Sequence, residues 1–414
     1  MPTIDPHLTA RKTPGAGLKD TEAQIDMARL RGYRLARVRE QLKRYDYGAC
    51  VLFDPINIRY ATGTRNMALW TQHSPDRYAF VPAEGPVILF DREAIRHQIE
   101  DFDTVDELRP AVRWYYEVAG PRVDERAQSW ADEISDLMRE HCGANRRLAI
   151  DRIGPAGIIP LQSHDISLFE AQEPLEQARA IKSEDEIACM CISIAACETG
   201  MARMREALRP GLTENALWSI LHQTNIELGG EWMETRLLAS GGRTNPWYQE
   251  CGDKIIRAGE LVAFDTDMIG PFGYCADISR TFFCGPGKPT AEQRRLYQHA
   301  YEQIHTNLEL VKAGVSFREF SEKTWKIPDE FVDNRYGAAH GIGLADEYPD
   351  VPDAIDWGKS GYDGVLEENM TLCIESYIGV DGGAEGVKLE QQVLITADGP
   401  QVLSTFPFED ALLA

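Results

Sequence analysis

With 414 residues, 43 % hydrophobic and 26 % charged, the chain is long enough for two domains that each bury a core. A net charge of −23 excludes nucleic acid and anionic membrane surfaces as first-choice partners, since both would repel it. No apolar run reaches membrane-spanning length, the N-terminus lacks a signal-peptide core, and the nine cysteines show no paired spacing, so the expected compartment is the reducing cytoplasm.

Residues 1–20 are polar and contain Pro and Gly, and read as an N-terminal arm. The stretch 28–42 has the spacing of an amphipathic helix, 49–54 reads as a strand, and 78–81 with 86–90 read as a hairpin around Ala83-Glu84-Gly85. A helix near 125–141 and a strand over 147–151 complete an alternating pattern, so an α/β domain is expected over 21–178. Ser183 and Glu186 form a capping box that opens a long helix to about Leu208; Cys189, Cys191 and Cys197 fall inside it and read as buried thiols. Thr213, Thr290 with Gln293, and Ser316 with Glu319 mark three further helix starts, and Gly314 reads as the stop between the last two helices. Strands over 370–375 and 387–396 close a second domain over 179–414, whose helices around mostly antiparallel strands give the fold class α+β.

Residues 261–283 of that domain read as two strands joined by a Gly/Pro-rich turn. Asp265 and Asp267 are two residues apart and are expected on one strand face, with Asp277 opening the paired strand. The apolar Val262, Phe264, Ile278, Phe282 and Phe283 imply burial, and buried carboxylates without partners demand a cation or protons. Three positions downstream complete the cluster: His340 in Gly337-Ala338-Ala339-His340-Gly341-Ile342-Gly343, Glu375 at a strand end, and Glu390 within a strand. Five carboxylates and one imidazole suit two divalent first-row metals, disfavour copper and thiolate-type zinc, and leave iron, manganese, zinc, cobalt or nickel.

These residues, in this order, resemble the metal ligands of the pita-bread (M24, creatinase/prolidase-like) superfamily, which includes methionine aminopeptidases, prolidases, aminopeptidase P and creatinase. Residues 57–63 and 180–187 are also similar to segments of its two-domain members. The resemblance implies a smaller N-terminal creatinase-like domain, a C-terminal pita-bread catalytic domain, and a homodimer. Several positions depart from the peptidase pattern. Where peptidases place a histidine after a Ser-Gly segment, Ser240-Gly241-Gly242-Arg243-Thr244-Asn245-Pro246-Trp247 puts Trp247; where a second histidine follows the His-Gly segment, this chain has Asp346. Thr266 holds the place of the first peptidase aspartate, flanked by Asp265 and Asp267, and Glu375-Ser376-Tyr377 stands for Glu-Pro-Gly.

This variant pattern is similar to that of the DddP-type dimethylsulfoniopropionate lyases, which split a sulfonium zwitterion into dimethyl sulfide and acrylate. That resemblance implies a carbon–sulfur lyase working by β-elimination, with iron as the metal, the substrate carboxylate on the dinuclear site, and Asp346 as general base. Trp247, Tyr336, Tyr348 and Tyr377 are the aromatic candidates for holding the sulfonium on their ring faces. An Xaa-Pro metallopeptidase of the prolidase or aminopeptidase P kind remains the alternative, and a metal-poor binding protein a third reading.

Overall fold

The structure, a computed structural model, describes residues 25–414; the expected arm over 1–20 lies outside the described residues. Two compact units are present, Asp26–Arg179 and Ala180–Ala414.

The first unit contains α1 (Met27–Arg44), β1 (Ala49–Leu52), α2 (Pro55–Thr62), β2 (Tyr78–Pro82), β3 (Ile88–Asp91), β4 (Glu107–Pro110), α3 (Val123–Cys142), β5 (Arg147–Ile150) and β6 (Ser167–Glu170). Its six strands form one sheet in the order β4-β3-β2-β1-β5-β6. β1, β2 and β3 pair antiparallel, while β4, β5 and β6 join parallel. Residues 57–63 fold as α2 and its stop: Asp54 accepts a hydrogen bond from the Ile56 N–H, Pro55 fixes the first turn, and Gly63 ends the helix at φ +74°. α3 buries Ala127, Trp130, Ala131, Ile134, Leu137 and Met138, a three-and-four spacing that makes one apolar stripe. β4 and β6 are short and carry polar ends, which is why no strand was expected there.

The second unit opens with α4 (Glu184–Ala207) and α5 (Glu214–Glu227). Ser183 and Glu186 make the expected capping box, and Thr213 caps α5. By length and composition α4 does match a bilayer-spanning helix, contrary to the sequence reading, but 78 % of its most apolar window is buried inside the protein. Its three cysteines are buried, as expected.

Eleven strands follow: β7 (Trp232–Met233), β8 (Leu238–Ser240), β9 (Leu261–Phe264), β10 (Met268–Ile269), β11 (Cys275–Ala276), β12 (Arg280–Phe283), β13 (Ala339–Ile342), β14 (Asp346–Val351), β15 (Thr371–Gly379), β16 (Gly386–Thr396) and β17 (Gly399–Val402). They form three sheets, β11-β10-β7, β12-β9-β8 and β14-β13-β15-β16-β17, with antiparallel neighbours throughout. The 261–283 stretch is thus two stacked pairings rather than one hairpin: β9 pairs with β12, β10 with β11, and the acidic residues sit in the breaks between them. Between the sheets' strands run α6 (Ala291–Leu308), capped by Thr290 and Gln293, and α7 (Phe317–Lys323), capped by Ser316. Leu296, Tyr297, Ala300 and Ile304 of α6 pack with Leu372 and Ile374 of β15 and Leu389 and Val393 of β16. Gly314 does not stop α6, which has already ended at Leu308; at φ +91° it turns the loop that leads into the Ser316 cap.

Just beyond β14, Asp353 is 2 % exposed, and burial pushes its carboxyl up to about 7 against a partial offset from Thr324. An exposed aspartate titrates near ~4, so the folded protein binds this proton more tightly than the unfolded chain does. Stability is therefore lost as pH rises from about 4 to about 7 and is level above that. Asp353→Asn is expected to raise the thermal midpoint at pH 8 and to leave it near wild type at pH 4, compared by melting scans at both values.

Candidate metal centre

Glu375 and Glu390 lie directly opposite each other in the β15–β16 pairing, 2 % and 0 % exposed. Strand alternation puts Cys373 and Tyr377 on the same face as Glu375, and Lys388 and Gln392 on the same face as Glu390. Glu375 sits in mid-strand rather than at the strand end expected for it. β13 adds the next strand, with His340 opposite Cys373, so His340 Nε2 comes within 3.0 Å of Glu375 Oε1, 3.6 Å of Glu390 Oε1 and 3.7 Å of Asp277 Oδ2. His340 Nδ1 is 3.0 Å from the Gly341 carbonyl; a proton held there would leave Nε2 as the ligating nitrogen.

Asp265 and Asp267 reach the same place by a different route from the shared strand face expected of them. The segment 265–267 lies between β9 and β10, and Asp267 has φ +34°. Thr266 does the aiming: its hydroxyl donates to the Ala276 carbonyl at 2.8 Å and accepts from the Ile278 N–H at 2.9 Å, which leaves both aspartates facing the other way. Asp277 likewise lies in a break, between β11 and β12, rather than opening a strand.

The six candidate ligands form overlapping groups whose donor atoms lie within 4.8 Å of one another: Asp265 with Asp267 and Asp277, Asp265 with Glu375 and Glu390, and Asp277 with His340, Cys373 and Glu390. Asp265, Asp277 and Glu390 each belong to two groups, the arrangement expected where carboxylates serve neighbouring ions. Glu390 Oε1 is buried and makes no hydrogen bond. Oxygen donors around one imidazole, with an orphaned buried carboxylate oxygen, fit divalent cations.

Lys388, which the sequence reading did not single out, brings a fixed charge among these acids. Its ammonium is 2.8 Å from Ser279 Oγ, 3.1 Å from Asp265 Oδ2 and 3.4 Å from Glu390 Oε2, donates to Glu375, and has no exposed surface. Ser279 in turn donates to Asp265 at 2.5 Å and approaches Glu390 Oε2 at 2.8 Å. Burial, with added charge from Asp265, pushes the Asp267 carboxyl up to about 8; burial and Glu390 raise Asp277. Lys388 and His340 together hold Glu390 below the usual carboxylate range despite its burial. Cys373 and Lys388 were both within reach of the sequence: each stands two residues before a candidate glutamate on a strand.

Asp346 opens β14, with Oδ1 3.7 Å from His340 Nδ1, and its side chain is 58 % exposed at the edge of the cluster. Its carboxyl is raised to about 6 by the protein packed around its inner side and by Glu390 and Glu375, against the opposing pull of His340. Of the aromatic candidates, Trp247 and Tyr377 pack together at 5.8 Å, and the Lys388 ammonium lies 4.9 Å from the Tyr336 ring and 6.0 Å from that of Trp247. Tyr377 donates its hydroxyl to the Thr244 carbonyl. Tyr348 is not brought to this group; its ring packs against Phe317 and Tyr362. Tyr248, passed over in the sequence, is 68 % exposed and stands 5.5 Å from Tyr336.

Residues 188–397 match the model of Metallopeptidase family M24, and residues 34–181 match the Creatinase/Prolidase N-terminal domain. The chain belongs to metallopeptidase family M24. This M24 chain is 42 % identical to the dimethylsulfoniopropionate lyase DddP of Roseovarius nubinhibens, over 94 % of its own length and 88 % of the relative's. It is 40 % identical, over the same shares, to the dimethylsulfoniopropionate lyase DddP of Roseobacter denitrificans. An Xaa-Pro dipeptidase structure from Bacillus anthracis matches with a TM-score of 0.73 over 91 % of this chain and 98 % of that one, at 19 % identity, a likeness of fold alone. The expected two-domain creatinase/prolidase-like architecture is thereby established.

Removing Lys388 leaves buried like charges facing each other. In metal-stripped protein, Lys388→Met is expected to cost about 3–5 kcal/mol of unfolding free energy, the usual effect of stranding a buried charge. Urea unfolding measures this, and the deficit should shrink when a divalent metal is supplied.

Proposed function

We propose that the chain is a metal-dependent lyase that β-eliminates dimethylsulfoniopropionate to dimethyl sulfide and acrylate. The observation that carries this reading is Asp346: an open carboxylate at the edge of a buried acid–imidazole cluster, where the peptidase pattern has a histidine. The similarity to two dimethylsulfoniopropionate lyases supports it.

Asp346 takes the proton from the carbon next to the substrate carboxylate. The electron pair left behind forms the carbon–carbon double bond, the carbon–sulfur bond breaks with both its electrons going to sulfur, and neutral dimethyl sulfide departs. Asp265, Asp267, Asp277, His340, Glu375 and Glu390 would hold a pair of divalent ions, iron in this reading, whose chemistry there would be positive charge for the substrate carboxylate and for the charge that develops as the proton leaves. Ser279 and Lys388 keep three of those carboxylates in place. Trp247, Tyr336 and Tyr377 wall the site. Because Lys388 already lies over the Tyr336 and Trp247 rings, a second cation on those faces is disfavoured, and the exposed ring of Tyr248 is the better contact for the sulfonium. The ring of Tyr348 is committed to Phe317 and Tyr362. From the family resemblance we read the enzyme as a cytoplasmic homodimer whose catalytic domain is 179–414.

Purified, metal-loaded protein is expected to release dimethyl sulfide into the headspace and acrylate into solution in equal amounts. Release of proline from an Xaa-Pro dipeptide, with no dimethyl sulfide, would instead establish the peptidase alternative. Asp346→Asn is expected to keep its metal and lose about 10²–10⁴-fold in kcat, the usual weight of a general base. By contrast, Asp277→Ala and Glu390→Ala should lose bound metal in elemental analysis, and an unchanged content in both would remove them from the ligand set.

A further inference from the structure

The segment that caps α4 is tied to both halves of the metal centre. Lys182, the residue before the Ser183 cap, is buried, and its ammonium lies 2.8 Å from Glu347 Oε2, with the two side chains 2 % and 1 % exposed. Its backbone N–H donates to the Asn369 carbonyl at 2.9 Å, so Lys182 is held at both ends. Glu347 follows Asp346 in β14, and strand alternation turns them opposite ways, Asp346 outward and Glu347 inward. The other Glu347 oxygen accepts from the Leu344 N–H at 3.0 Å. Its carboxylate also fills the space that a Cβ at position 343 would need, which is why Gly343 is there. The turn between His340 and Asp346 is therefore laced to Lys182.

Glu186, on the first turn of α4, reaches the opposite half. It accepts from the Ser183 N–H at 2.8 Å and from the Tyr274 hydroxyl at 2.9 Å, and Tyr274 stands three residues before Asp277. The two turns also meet directly, because the Cys275 N–H donates to the Gly343 carbonyl at 2.8 Å.

We infer that Lys182 and Glu347, braced by Glu186 and Tyr274, form a clamp that positions Asp346 and His340 against the Asp277 side of the centre. None of the four reaches the reacting atoms; they are positioning residues. The inference rests on the lyase reading only in naming Asp346 as the base, since the clamp itself is read from hydrogen bonds. A displacement of about 1 Å at a base can cost roughly 10²-fold in rate, so a clamp of this kind matters more to turnover than to substrate affinity.

The test separates positioning from stability. Lys182→Met alone strands a buried carboxylate and should destabilise the fold; Lys182→Met/Glu347→Gln leaves a neutral pair in which the glutamine oxygen still accepts from Leu344, and should restore the melting midpoint. In that double variant, with wild-type metal content, kcat for dimethyl sulfide release is expected about tenfold or more below wild type, with KM within about threefold. Hydrogen exchange of the amides over 343–347 should quicken while those of β15 and β16 stay as they were. Exchange over 343–347 equal to wild type, or kcat restored together with the midpoint, would overturn the clamp. If the wild-type protein makes no dimethyl sulfide yet the double variant shows the faster exchange, the lyase reading fails and the clamp stands.

Discussion

Two glutamates face each other across a buried antiparallel strand pair, and the second unit is arranged around that conflict. Like charges directly opposite in a sheet destabilise it even at a surface, and Glu375 and Glu390 have almost no access to water. Three nearby aspartates and Asp346 deepen the problem. Protonation is one escape, and burial together with the neighbouring negative charges pushes the carboxyls of Asp267 and Asp277 in that direction. Cations are the other. Lys388 supplies one permanently, Ser279 spreads its effect by bridging Asp265 and Glu390, and the orphaned Glu390 Oε1 marks where the protein's own groups stop short.

Rigid and irregular elements divide the work of building this centre. His340, Glu375 and Glu390 come from three neighbouring strands, whose positions the sheet fixes with hydrogen bonds along their length. Asp265, Asp267 and Asp277 come from breaks between strands, where each needs its own anchor: the Thr266 hydroxyl for the first two, and Gln392, which accepts from the Asp277 N–H at 3.2 Å, for the third. Side chains at breaks can point where a regular strand would not allow. The cost is dependence on a few hydrogen bonds rather than on a whole ladder.

That division also explains what could be read from the sequence. Helix starts were legible because capping chemistry is local: Ser183, Thr213, Thr290 and Ser316 all cap where their side chains predict. The six candidate ligands could be picked out by type and order, yet the geometry assumed for Asp265 and Asp267 was wrong, since the turn at φ +34° is set by Thr266 reaching Ala276 and Ile278, a contact ten to twelve residues away. Lys388 and Cys373 do not stand out in the sequence, since a lysine in a strand reads as solvent-facing and a lone cysteine as a small buried hydrophobe. The period-two rule applied backwards from Glu390 and Glu375 would have found both. Tyr348, two residues from Asp346 on β14, is placed by contacts that its sequence neighbourhood does not reveal: its ring packs against Phe317 and Tyr362.

The replacement of an imidazole by Asp346 bears on what reaction such a centre can support. Hydrolysis of a peptide bond needs a water to be activated and a proton to be returned to the departing amine, and a group that both takes and gives protons near neutral pH serves it well. Elimination from a sulfonium asks for less. Dimethyl sulfide leaves as a neutral, weakly basic molecule, so no proton has to follow it, and no water has to attack. A carboxylate that only accepts is sufficient, provided it is held close to the carbon it deprotonates and is kept from collapsing onto a metal or a lysine. Asp346 is kept apart from the lysine beside it: β14 directs it outward while Glu347, one residue on, is tied inward to Lys182. The same strand alternation that separates Asp346 from Glu347 keeps Asp346 at the edge of the carboxylate cluster, the placement that its proposed role as base requires.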